Sequence, residues 1–251
     1  MRKKLIAGNW KMYKTTASAV AFANDFTALL SAAGEQEHEI AVCAPFTQLI
    51  ALKEAFAGSC VGVGAQNMHF EGEGAFTGEI SAAMLAEIGV DYCIIGHSER
   101  RQYFAETDET VNRKLHAAAA QGLTPIFCLG EVQKQREAGE ELQVVKSQLA
   151  AGLAGLSARD VGGFVIAYEP VWAIGTGLTA TAEQAEEMCA FIRDEAKNLF
   201  GAETAESLRI QYGGSVKPDN AAEILNMPNI DGALVGGASL LPDKFFTICQ
   251  G

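Results

Sequence analysis

The chain has 251 residues, of which 49% are hydrophobic and 20% charged. That balance excludes a disordered chain and leaves enough apolar material for a large core. Nineteen basic residues against 31 acidic ones give a net charge of −12, which argues against nucleic acid and anionic membranes as partners.

Taken in chain order, the apolar runs are short and the segments between them have helical spacing. The first strand is expected at 5–9; the four residues between Lys4 and Asn9 are too few for the apolar region of a signal peptide. A helical pattern over 16–33 leads to strands at 39–43 and 61–65, with a helix over 46–56 between them. A strand at 92–95 and a helix over 107–121 follow. The stretch 115–130 lacks Asp, Glu, Lys and Arg for 16 residues, but Gly122 and Pro125 interrupt it and it is too short to span a membrane. Strands are then expected at 124–129 and 163–168, separated by a helix over 133–153. Thr181-Ala182-Glu183-Gln184 is a capping-box pattern opening a helix whose core face carries Ala185, Met188, Cys189, Ile192, Ala196 and Leu199. The last strands are 209–212 and 232–235, with a helix over 217–225 between them.

Continuously apolar strands alternating with helices indicate a parallel sheet. No linker rich in Pro, Gly or Ser divides the chain, so residues 1–251 are expected to form a single domain. Eight units suggest an α/β fold of the (β/α)₈ barrel type, with an open doubly wound sheet as the rival. Six cysteines, at 43, 60, 93, 128, 189 and 249, form no CxxC pair; they read as buried free thiols in a reducing cytoplasm. Four histidines without HxH or HExxH spacing give no indication of a metal site.

In either parallel architecture, chemistry lies beyond the carboxyl ends of the strands. Asn9 and Lys11 follow the first strand, His97-Ser98-Glu99-Arg100 the fourth, and Glu169-Pro170 the sixth. Gly213-Gly214-Ser215 and Gly236-Gly237 follow the last two. Polar groups spread over so many strands converge only in a closed barrel. Glu169 leaves a buried strand directly, where desolvation would raise its pKa. The two Gly-Gly turns, each opening a helix, suit close approach to a phosphate. The GxGxxA run at 175–180 resembles a dinucleotide fingerprint, but it lies too far beyond the strand. With 171–174 it reads better as a lid that excludes water.

Seven segments, in order along almost the whole chain, resemble the triosephosphate isomerase family. They are AGNWKM at 7–12, GAQN at 64–67, GAFTGEIS at 74–81, IGHSERR at 95–101, AYEPVWAIGTG at 167–177, YGGSV at 212–216 and VGGAS at 235–239. The resemblance implies interconversion of dihydroxyacetone phosphate and D-glyceraldehyde 3-phosphate without a cofactor. It implies that Glu169 is the catalytic base and that His97 is a neutral electrophile, with Ser98 capping the helix behind it. Asn9 and Lys11 would contact the substrate. The backbone of Gly175, Ser215, Gly236 and Gly237 would grip the phosphate, and 171–177 would close over it. Leu178 stands where members often carry Lys, which bears on the lid's hinge. A homodimer is implied too, with the loop around Thr77 reaching Lys11 and His97 of the other copy. A Schiff-base aldolase and a catalytically silent sugar-phosphate binder are the alternatives; the first needs a desolvated lysine inside the barrel.

Overall fold

The structure is a computed structural model, and it describes residues 2–174 and 179–251. Eight parallel strands close into one barrel in sequence order. They are β1 (Leu5–Asn9), β2 (Glu39–Ala44), β3 (Val61–Ala65), β4 (Tyr92–Ile95), β5 (Thr124–Leu129), β6 (Val165–Tyr168), β7 (Arg209–Tyr212) and β8 (Gly232–Val235). Closure comes from β8 pairing with β1, with Leu5 opposite Gly232 and Gly8 opposite Val235. This decides against the doubly wound alternative, whose sheet keeps two open edges.

The two-residue repeat of a pleated strand sorts the barrel into layers. Leu5, Ala7, Ala41, Cys43, Ile94, Ile126, Cys128, Val165, Ala167 and Leu234 form the cluster inside it. The alternate residues, such as Ile6, Val42, Ile95, Phe127 and Ile166, belong to a larger cluster between barrel and helices. Extending the inward set one step past the apolar layer reaches Asn9 on β1 and Glu169 beyond β6, at the carboxyl end. At the opposite end it reaches Glu39, Tyr92 and Arg209. There the Arg209 guanidinium lies 2.5 Å from a Glu39 carboxylate oxygen, which also accepts the Tyr92 hydroxyl at 3.0 Å.

The helices follow the expected pattern with instructive differences. Thr181 caps helix Ala182–Phe200 as expected: its side chain accepts the Gln184 N–H at 3.2 Å, and Gln184 Oε1 accepts the Thr181 N–H at 3.0 Å. Its buried face includes Ala185, Met188, Cys189, Ile192 and Ala196, whereas Leu199 is exposed. The segment expected as one helix over 133–153 is two, Gln133–Glu137 and Glu141–Leu153. Gly139, at φ +70°, turns the chain between them. The helix expected from 217 begins later, at Ala221–Leu225, because the Lys217 N–H is satisfied by the Asn220 side chain in a turn instead. Five of the cysteines are buried and Cys60 is exposed, which corrects the reading of all six as buried; none is in a disulfide.

Candidate active site

A cleft of about 350 Å³ opens at the carboxyl end of the barrel. Asn9, Lys11, His97, Glu169, Ser215, Gly236 and Gly237 all line it, together with Gly213 and Gly214. Residues expected from the ends of β1, β4, β6, β7 and β8 therefore meet in one place. Gly175 and Leu178, and the part of the expected lid from 175 to 177, lie outside the described residues. No lysine stands in any of the eight strands, so the barrel offers no internal amine for an aldolase-type Schiff base.

Glu169 is 2% exposed, and both its carboxylate oxygens are engaged. Oε2 accepts the backbone N–H of Ser98 at 2.9 Å, and Oε1 lies 3.0 Å from His97 Nε2. Two strand-end glycines make room for it. A Cβ on Gly130 would fall 1.9 Å from the Glu169 carbonyl oxygen, and one on Gly213 would fall 2.9 Å from Glu169 Cγ.

His97, rather than Ser98, caps helix Ser98–Tyr103: its Nδ1 accepts the Glu99 N–H at 3.2 Å. A ring nitrogen that accepts a hydrogen bond carries a lone pair, so in this arrangement the ring proton sits on Nε2, facing Glu169. The Glu99 carboxylate lies 3.7 Å from Nδ1 on the other side.

Burial acts on both members of the pair, pushing the Glu169 carboxyl up and the His97 imidazole down. Their proximity reverses both directions. His97 holds Glu169 below the ordinary carboxylate value, with help from the Ser98 N–H and Lys11. Glu169, and then Glu99, raise His97 above the ordinary imidazole value against Lys11. The expectation that desolvation leaves Glu169 with a raised pKa is therefore corrected for this resting arrangement, because its neighbours outweigh burial.

Lys11 has left-handed backbone geometry, φ +51°, unusual for a residue with a side chain. Two contacts hold it there. Its N–H donates to Asn9 Oδ1 at 2.9 Å, and Gln66 Nε2 donates to its carbonyl at 2.9 Å. The same Gln66 amide reaches the Cys43 carbonyl at 3.0 Å. Lys11 Nζ is paired with Glu99 at 2.6 Å, so the cation facing the cleft is tied to the element that carries His97. Sequence reasoning gave Gln66 and Glu99 no role, although both lie inside the conspicuous segments 64–67 and 95–101. A second missed group is Glu131, 0% exposed, which accepts the Tyr168 hydroxyl at 3.0 Å and the Trp172 indole N–H at 2.8 Å. It anchors the 3₁₀ turn Val171–Ala173, at the start of the expected lid.

The residues expected to grip the phosphate are arranged by local turns. Ser239 donates both its N–H and its hydroxyl to the Gly236 carbonyl, at 2.9 and 2.7 Å, which tightens the turn after β8. Asn220 holds the Ser215 carbonyl at 3.0 Å. A Cβ on Gly236 would lie 3.7 Å from Lys11 Cε, so the turn after β8 and the cation from β1 form one wall. A second cleft, about 260 Å³, shares Asn9, Lys11 and His97 with the first, and Asn67, Arg100 and Phe104 also line it.

Known proteins resemble this chain along nearly its whole length. The family model for triosephosphate isomerase matches residues 4–251. A triosephosphate isomerase from Carboxydothermus hydrogenoformans is 56% identical over 100% of this chain and 99% of its own length. One from Acetivibrio thermocellus is 58% identical over 99% and 98%, and one from Lactobacillus delbrueckii subsp. bulgaricus is 54% identical over 98% and 97%.

Proposed function

The chain belongs to the triosephosphate isomerase family, and from that premise we propose how its residues divide the work. The activity is that of a glycolytic isomerase, interconverting dihydroxyacetone phosphate and D-glyceraldehyde 3-phosphate. The observation that carries the assignment of roles is the single cleft lined by Asn9, Lys11, His97, Glu169, Ser215, Gly236 and Gly237.

Glu169 is the base that removes a proton from C1 of dihydroxyacetone phosphate and returns one at C2. His97 Nε2–H donates to the carbonyl oxygen as it becomes the enediolate oxygen. The resting contacts make this pairing self-consistent. When Glu169 leaves His97 and the Ser98 N–H for the substrate, the neighbours that hold its pKa down are given up and burial remains. Desolvation then makes the carboxylate a stronger base and keeps the imidazole neutral, while Nε2–H is freed for the substrate oxygen. A glutamate base working with a neutral histidine is the division of labour already known for the triosephosphate isomerase family.

Lys11 and Asn9 contact the substrate oxygens, and the backbone of Gly175, Ser215, Gly236 and Gly237 binds the phosphate. The chain is acidic overall, so a local cation matters. A unit pair about 4 Å apart is worth roughly 4 kcal/mol at an effective dielectric near 20. Segment 171–177 closes over the bound substrate, excluding water from the enediolate.

The active form is a homodimer. The loop 72–79 is exposed, and Phe76 within it is 43% exposed. The second cleft, beside Lys11 and His97, is the receptor for the partner's loop, with Thr77 reaching towards those two residues. The buried free thiols fit a reducing, cytoplasmic compartment.

Turnover in deuterium oxide tests the chemistry. Proton transfer through Glu169 gives glyceraldehyde 3-phosphate with solvent deuterium at C2, and Glu169→Gln abolishes both turnover and labelling. A Glu169→Gln variant that keeps the parent's turnover and labelling would show that the role given to Glu169 is wrong.

A further inference from the structure

We propose that His69 is a positioning residue for subunit association, the middle layer of a side-chain stack that shapes the 72–79 loop before a second copy of the chain engages it. The proposal rests on the homodimer reading above and adds the device that prepares the loop.

The stack has four tiers. The His69 ring lies 4.2 Å from the Phe70 ring and 4.3 Å from the Phe76 ring, tilted 32° and 34° from them. Arg113 places its guanidinium carbon 3.5 Å from the Phe70 centroid and pairs with Glu71 at 2.6 Å. Arg113 belongs to helix Asp108–Ala120, so the tiers run from the body of the barrel to the loop tip.

Hydrogen bonds fix His69 within the stack. Its N–H donates to the Ile80 carbonyl at 2.7 Å, and it forms an isolated bridge with Ser81, closing the base of the loop. Its Nδ1 accepts the Glu71 N–H at 3.0 Å, which orients the ring. At the tip, the Phe76 N–H turns back to the Gly74 carbonyl at 2.9 Å. A side chain on Gly74 would put its Cβ 2.9 Å from the Phe76 ring.

These contacts serve the loop rather than the core. Residues 72–79 are exposed, and Phe76 keeps 43% of its surface open although one face rests on His69. A rigid exposed apolar group gains nothing for an isolated subunit. It lowers the ordering cost when the loop enters a receptor, and the receptor on this same chain is the cleft beside Lys11 and His97. His69 then acts on catalysis only through association.

Sedimentation equilibrium, with activity measured across enzyme concentrations, tests this on the full chain, His69→Ala and His69→Phe. The alanine variant should raise the dimer dissociation constant about tenfold or more by removing preorganisation. Its activity per subunit should fall on dilution and return to the parent value at high enzyme concentration. His69→Phe, which keeps a ring between Phe70 and Phe76, should dissociate close to the parent. Far-UV circular dichroism checks folding; His69→Gln, which keeps an acceptor but no ring, should behave as the alanine variant and replaces it if that fails to fold. A ring-less variant with the parent's dissociation constant and dilution profile overturns the proposal while leaving the dimer intact. A parent enzyme that sediments as a fully active monomer overturns the dimer reading, and this proposal with it.

Discussion

Glu169 rests with both oxygens occupied, so its position at the moment of reaction depends on the length of its side chain. Glu169→Asp keeps the charge and retracts the carboxylate. A misplacement of about 1 Å costs on the order of 10²-fold, and kcat should fall by about that factor with little change in KM. A variant keeping more than half of the parent's kcat, where chemistry limits the rate, would remove Glu169 from the role of base. The pair also sets a titration. Burial is the largest single influence on His97 and lowers its pKa; the charge and hydrogen bond of Glu169, with the charge of Glu99, together raise it above the ordinary imidazole value. Removing that charge with Glu169→Gln leaves burial to act, so the imidazole should stay neutral to lower pH than in the parent. ¹⁵N NMR of His97 against pH reads this directly, and an unchanged or higher pKa in the variant would show that Glu169 is not the source of the upward shift. Glu169 was legible in the sequence because an acid followed a buried strand and preceded Pro170. Glu99 and Gln66 were not, because their work consists of reaching Lys11 from the segments that follow β4 and β3, a relation that spacing does not encode.

At the level of elements, the geometry proposed for catalysis depends on where strands stop and turns begin. Glu169 extends β6 by one pairing step, its N–H donating to the Leu129 carbonyl at 2.8 Å, while the Gly213 N–H donates to the Tyr168 carbonyl at 2.7 Å. Glu169 is thus pressed between the ends of β5 and β7, and both ends are glycine. Gly213→Ala would set a methyl group 2.9 Å from Glu169 Cγ, closer than real contacts allow. The side chain must shift, and kcat should fall by roughly 10 to 10²-fold. The barrel should remain folded by circular dichroism; an alanine variant with parental kcat would show that Glu169 has room to spare. The strands were readable because both their faces are buried, leaving nearly unbroken apolar runs. Helix ends were less so. Gly139 splits one predicted helix, and the short helices Ala82–Ile88, Ala202–Ser207 and Pro242–Cys249 were missed, being too brief to display a period.

Across the whole molecule, the barrel is polar at its two ends and largely apolar between them, with Gln211 on β7 buried inside and donating to the Leu5 and Ala233 carbonyls, and the ends serve different purposes. At the end away from the cleft, burial pushes Glu39 up, but the hydrogen bond and charge of Arg209, with Tyr92 and Lys3, together hold the carboxyl below its ordinary 4.5. A lowered native pKa contributes stability above the ordinary carboxyl range, and that stability is lost as pH falls through the native value. Glu39 is 38% exposed at its side chain, so solvent limits the contribution to about 1 kcal/mol or less. Glu39→Gln should unfold at lower urea than the parent in neutral buffer, and the gap should shrink in acid below pH 4.5. A gap independent of pH would mean that the carboxylate contributes through shape alone. This cluster joins residues from β2, β4 and β7 and was not foreseen, whereas closure itself was inferred from polar residues spread over β1, β4, β6, β7 and β8. At the cleft end, Lys11 and His97 also line the second cleft, so one subunit leaves that side of the proposed site uncovered. Seating another copy's loop there would fix them, in keeping with the support a reacting group needs from its surroundings. Replacing residues 72–78 with a shorter polar loop should therefore give a folded monomer with greatly reduced kcat. Sedimentation and a coupled assay on the same sample decide the matter. A monomer with near-parental turnover would confine the dimer to a stabilising role, and a variant that stays dimeric would place the interface on another segment.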